Sequence, residues 1–214
     1  MKTSTRRNFL KKIAITAASA VAVPGLVKAS ENLGTAEAES AEAFPGPGGL
    51  IVPKGNGLQI SGTFLDEISH DIPHQNWGEK EWDADFRYMK AVGIDTVILI
   101  RSGYRKFITY PSPHLLGQGC YMPSVDLVDM YLRLAQKYGM KFYFGLYDSG
   151  RYWDTGDMSS EVEHNKYVID EVWRMYGEKY RSFGGWYLSG EISRSTKGAI
   201  GAFRAMGNQC KAVS

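Results

Sequence analysis

Residues 82–101 read WDADFRYMKAVGIDTVILIR, and the order of events in that stretch decides the fold. Trp82, Phe86, Met89 and Val92 recur at helical spacing, which gathers them on one face of a helix. Gly93 follows, and glycine is the residue best suited to the left-handed turn that stops a helix. Residues 96–100 are then β-branched or aliphatic without interruption, a run too short for a helix and typical of a strand. Arg101 brings a charge where that run ends.

Read outward, the same unit appears four times. The apolar runs are residues 58–65, 96–100, 141–147 and 185–188, and near-continuous runs of this kind suit parallel strands covered on both faces. Between them lie amphipathic stretches. Val128, Tyr131, Ala135 and Tyr138 precede Gly139. Ser160 with Glu163 forms a capping-box pattern opening a third helix, whose buried stripe is expected at Ile169, Val172, Trp173 and Tyr176. A fourth helix, with Ala199, Ile200, Phe203 and Met206 inward, runs almost to the end of the sequence.

Strand and helix in alternation give the α/β class with a parallel sheet. Spacing alone fits a (β/α)8 barrel and a doubly wound sheet equally well. After the first run, Gly62-Thr63-Phe64-Leu65-Asp66-Glu67 carries one glycine and no phosphate-binding loop, which argues against a nucleotide-binding fold. The expectation is the N-terminal half, four βα units, of a (β/α)8 TIM barrel.

Three segments are expected. Residues 1–29 carry six Lys and Arg and no acid, and Thr5-Arg6-Arg7-Asn8-Phe9-Leu10-Lys11 matches the twin-arginine signal pattern. The apolar run at residues 13–23 is too short to span a bilayer, and Val27-Lys28-Ala29 offers a cleavage site before Ser30. The leader therefore addresses the twin-arginine translocase and a periplasmic or extracellular destination, with no stable membrane anchor. Residues 30–57, with four Glu and a Pro-Gly run, read as a flexible linker. Residues 58–214 form the domain. Without the leader, 19 basic residues face 23 acidic ones, a net charge of −4 that gives no footprint for nucleic acid. Cys120 and Cys210 are expected at opposite ends of the domain as free thiols.

Charge gathers where the runs end: Asp66 and Glu67, then Arg101, then Asp148, then Glu191. In a barrel those tips share the face on which catalytic groups sit. Glu191 lies just beyond Trp186 and Tyr187, where an apolar setting would raise its pKa toward that of a general acid. Glycoside cleavage needs such a carboxyl and a second one nearby. Aromatic residues are plentiful in the tip loops, at Trp77, Tyr104, Tyr110, Tyr121, Tyr152 and Trp153, and flat rings suit the C–H faces of sugars. Tyr104 and Trp153 are the expected contacts, with Asp66, Glu67, Arg101 and Asp148 shaping the site. His70 and His74 are four apart, but Pro73 breaks the helix that would align them, so no metal and no cofactor is called for. His114 and His164 read as isolated.

From about residue 58 to the end the chain resembles domain of unknown function 4434, a bacterial family. The resemblance rests on Gly62-Thr63-Phe64, Trp82-Asp83-Ala84-Asp85-Phe86, residues 89–98 and Gly185-Trp186-Tyr187-Leu188. That family looks like the large glycosidase clan, whose acid/base glutamate ends strand four and whose nucleophile ends strand seven. By that likeness Glu191 corresponds to the acid/base, although Gly190 stands where the clan usually has Asn. Four units leave no seventh strand, so the resemblance implies a truncated barrel lacking the second catalytic carboxylate. The expected function is an exported glycoside hydrolase-like domain acting on or binding a carbohydrate. A non-catalytic saccharide-binding barrel and a metal-dependent sugar isomerase or aldolase are the alternatives.

Overall fold

The computed structural model describes residues 60–67 and 77–214, with the backbone of two short segments before them. The leader, the His70–His74 pair and the first part of the initial apolar run lie outside the described residues. Within the stretch expected as a linker, Phe44–Pro45 pairs with Ile51–Val52 in antiparallel fashion.

Four strands form one sheet: β1 (Gly62–Leu65), β2 (Thr96–Leu99), β3 (Lys141–Gly145) and β4 (Phe183–Tyr187). They lie side by side in chain order, and every neighbouring pair is parallel. Four helices alternate with them: α1 (Glu79–Ala91), α2 (Leu127–Lys137), α3 (Ser159–Val172) and α4 (Ala199–Val213). The chain is thus an α/β protein. Gly93 and Gly139 end α1 and α2 with φ of 95° and 63°, the left-handed geometry that a side chain would strain.

Burial alternates along β2 and most of β3, whereas every residue of β4 is half-buried. Leu65, Val97, Leu99, Phe142 and Phe144 are buried, and Trp82, Phe86, Val128 and Tyr131 of α1 and α2 join them in the core. The rings of Trp82 and Tyr131 meet edge to face at 4.9 Å. Burying each such aromatic contributes on the order of 2–3 kcal/mol. The other face carries Phe64, Ile98 and Tyr143 in register, and Phe64 is 51% exposed. Coverage on both faces is therefore not what the described residues show; helices cover one face only. Among the described strands this second face is concave. Strands spaced about 4.8 Å apart put the outer two roughly 14 Å from each other in a flat sheet. Yet Phe64 on β1 and Tyr187 on β4 meet edge to face at 5.3 Å.

Three helical details differ from the sequence expectation. Helix α3 starts at Ser159 with Met158 as its cap residue and makes no capping box; Asp157 accepts from the Ser159 amide instead, at 3.0 Å. It continues into a π-helical turn, Trp173–Gly177, where Tyr176 is buried and Trp173 only partly so. In α4 the inward residues are Ala199, Ala202, Met206 and Cys210, whereas Ile200 is 77% exposed. Both cysteines are buried and free. Among the described residues no helix is long and apolar enough to cross a membrane.

Candidate functional site

The C-terminal ends of β2, β3 and β4 converge because the chain leaving β2 crosses very close to β3. A Cβ on Gly145 would stand 2.0 Å from the Leu99 carbonyl oxygen and 2.7 Å from the Ile100 carbonyl carbon. Only glycine allows that approach. The crossing is fixed by the Ser102 amide donating to the Gly145 carbonyl at 2.9 Å. The Ser189 hydroxyl, just beyond β4, donates to the Ile100 carbonyl at 2.6 Å.

This convergence places Arg101 against Asp148. The guanidinium donates to Asp148 Oδ2 at 3.2 Å, with the carboxylate only 3% exposed. Asp148 also accepts from the Gly150 amide at 2.8 Å and from the Tyr152 hydroxyl at 3.3 Å. Burial still raises the Asp148 carboxyl above the usual carboxylate range, with the charge of Glu191 adding to it; the three donors oppose the shift. Tyr152 reaches further, since its oxygen accepts from the Glu191 amide at 3.1 Å. Arg101, Asp148, Ser189, Gly190 and Glu191 line one small cleft of about 30 Å³, with Ile100 and Tyr187 at its wall.

The sequence-derived residues divide here. Arg101, Asp148 and Glu191 come together. Glu191 does not sit in an apolar pocket: β4 stops at Tyr187, and Glu191 lies exposed four residues later. Asp66 and Glu67 are not among the residues lining the cleft. Glu67 is 2% exposed, and burial, then the neighbouring Asp66, pushes its carboxyl up to about 7. Its charge bears on the phenol of Tyr131, a residue of α2 in the core, so Glu67 faces the helices. Tyr104 is half-buried, with the guanidinium groups of Arg101 and Arg105 each 5.2 Å from its ring. Trp153 is 50% exposed and stacks on Tyr152 at 5.2 Å. Of the other loop aromatics, Tyr110 and Tyr152 are buried, while Tyr121 is exposed.

The supporting groups are ones that sequence reasoning missed. Helix α3 sends Glu161 and Asn165, four residues apart, back under the tip of β3. Asn165 accepts from the Tyr147 amide and donates to the Tyr147 carbonyl, both at 2.8 Å. Glu161 accepts from the Ser149 amide at 2.9 Å and from the Ser149 hydroxyl. The signal was present: two polar residues at helical spacing continue the inward stripe of Val168 and Val172. His114 and His164 are not isolated either. Their Nε2 and Nδ1 lie 3.0 Å apart, and burial together with His114 holds His164 below the usual histidine range. Among the described residues no group of three or more His, Cys, Asp or Glu could hold a metal ion.

A parallel α/β domain with a polar cleft at its strand ends is thus the class that fold and geometry define. The chain belongs to the family of domain of unknown function 4434 (DUF4434), whose model matches residues 60–214. It is similar to a crystal structure from Bacteroides thetaiotaomicron VPI-5482 described as a "putative alpha-L-fucosidase", with 84% identity and a TM-score of 0.72. The match covers 77% of this chain and 51% of that one, so the chain spans about half the length of the relative. No curated protein matches the chain.

Proposed function

We propose that this chain is the N-terminal half of an exported glycoside hydrolase-like (β/α)8 barrel, with a carbohydrate bound over the Arg101–Asp148–Glu191 cleft. The observation that carries the reading is the meeting of two carboxylates and an arginine at the C-terminal ends of parallel strands, where barrel enzymes hold their substrates. Support for the barrel comes from strands in chain order without the reversal that a doubly wound sheet requires, and from the concave face closed by Phe64 and Tyr187. Support for the sugar comes from the α-L-fucosidase description of the 84% identical relative. Export rests on the twin-arginine pattern at residues 5–11.

In this reading the exposed Glu191 is the acid/base and the buried Asp148 its companion carboxyl. Asp148, whose ionised form is favoured by donors from Arg101, Gly150 and Tyr152, faces the developing positive charge of the sugar ring. Arg101 and Tyr104 flank the ligand, and Trp153 offers an open ring face for stacking.

The test is hydrolysis of 4-nitrophenyl α-L-fucopyranoside and calorimetric binding of L-fucose, by this chain alone and joined at Ser214 to the remainder of the relative. Glu191→Gln is expected to cut turnover roughly 100-fold or more while binding persists. Undiminished turnover removes Glu191 from the mechanism. Neither binding nor turnover across a panel of aryl glycosides overturns the carbohydrate reading.

A further inference from the structure

Asp148 and Glu191 sit on different strand ends, and one side chain touches both segments. Tyr152 belongs to a short helical turn, Arg151–Thr155, that begins directly after the β3 tip. It is 3% exposed, and its ring is backed by Trp153. Its single hydroxyl donates to Asp148 Oδ2 at 3.3 Å and accepts from the Glu191 amide at 3.1 Å. A phenol hydroxyl has one proton to give, and here it goes to the carboxylate while a lone pair takes the amide.

We infer that Tyr152 is a positioning residue: its hydroxyl ties the Asp148 carboxylate to the backbone of Glu191, so that both acids are presented to the same cleft in a fixed relation. The inference rests on the carbohydrate reading for its purpose, but the tie is a property of the chain alone. Residues 188–198 form no helix or strand, and the loop bearing Glu191 takes anchors from side chains, such as Ser189 on the Ile100 carbonyl. The Tyr152 oxygen supplies one, and it does so from a side chain locked by burial. The same bond favours the ionised form of Asp148. Other groups act on that carboxyl from the surrounding segments, Arg101 beyond β2 and Glu191 beyond β4, while burial and the charge of Asp148 itself push up Glu161 on α3 and Tyr147 at its strand tip. Of the two that act on Asp148, Arg101 opposes protonation and Glu191 promotes it.

The experiment uses the full chain without ligand. Tyr152→Phe keeps the ring and removes the hydroxyl. Exchange of the Glu191 amide with solvent, followed by NMR, is expected to accelerate at least tenfold, and the Asp148 carboxyl, followed by its 13C shift, is expected to titrate at higher pH. Asp148→Asn, which keeps an acceptor for the phenol, is expected to leave the Glu191 amide protected. An unchanged Glu191 amide or an unchanged Asp148 midpoint in Tyr152→Phe overturns the inference. Should that variant not fold, the wild-type chain decides: the Glu191 amide shift follows the Asp148 titration if the tie exists, and an amide indifferent to it overturns the proposal. None of these readouts needs a sugar. A wild type that binds no L-fucose therefore removes the carbohydrate reading and leaves the tie standing, whereas loss of the tie leaves the carbohydrate reading to its own test.

Discussion

At the scale of single residues, the two acids ending β1 show how neighbouring positions acquire different chemistry. Asp66 remains partly open, whereas Glu67 turns under the helices with its carboxyl pushed up to about 7. An unfolded Glu titrates near 4.3. Between those values the folded chain keeps a proton that the unfolded chain has released, so stability falls as pH rises through that window and stays reduced above it. The full effect is on the order of 3 kcal/mol. Glu67→Gln is therefore expected to melt at higher temperature than the wild type at pH 8, with the difference vanishing near pH 4.5. Thermal melts followed by circular dichroism across that range check it, and a variant less stable at pH 8 would show that the ionised carboxylate is held by its surroundings. Glu67 could be seen in the sequence as a charge at a strand end. That it faces inward could not, because one residue of register decides the side.

At the scale of elements, the crossing of the β2 loop over β3 is what assembles the cleft. Gly145→Ala puts a methyl group into the backbone at residues 99 and 100, where no side chain can move aside. Overpacking of this kind costs about 3 kcal/mol, and the strain falls on the chain that positions Arg101. A lower denaturation midpoint, together with displaced NMR signals for Arg101 and Asp148, is the expected result. Unchanged stability would mean that the two strands are farther apart than described. The helix ends were legible because the left-handed geometry at Gly93 and Gly139 follows from local chemistry. The start of α3 was not. Ser160 and Glu163 suggested a capping box, but Asp157 caps from outside the helix, while Glu161 is drawn inward to Ser149. A different local bond, from Asp157, and the tertiary bonds of Glu161 outcompeted a motif of comparable strength, about 1 kcal/mol.

At the scale of the whole molecule, the concave sheet face is the feature with the widest consequence. Phe64 and Ile60 are 51% and 75% exposed on β1 and just before it. β1 and β4 each have one neighbour in this sheet among the described strands. An apolar face beside open edges promotes association. The chain is therefore expected to self-associate at micromolar concentration, and Phe64→Lys is expected to shift it toward monomer while losing about 1 kcal/mol of stability with the Tyr187 ring contact. Sedimentation velocity distinguishes the outcomes, and a wild type that stays monomeric would mean this face is already covered. The sequence by itself determined the four strands, their helices, the α/β class and the membership in the family, because periodicity and glycine exits are set by residues close along the chain. Only the tertiary structure decided which charges meet. Arg101, Asp148, Tyr152 and Glu191 are brought together by contacts between segments up to ninety residues apart, such as Ser189 on the Ile100 carbonyl. Such contacts depend on strand register, sheet curvature and the close approach at Gly145, which no local pattern encodes.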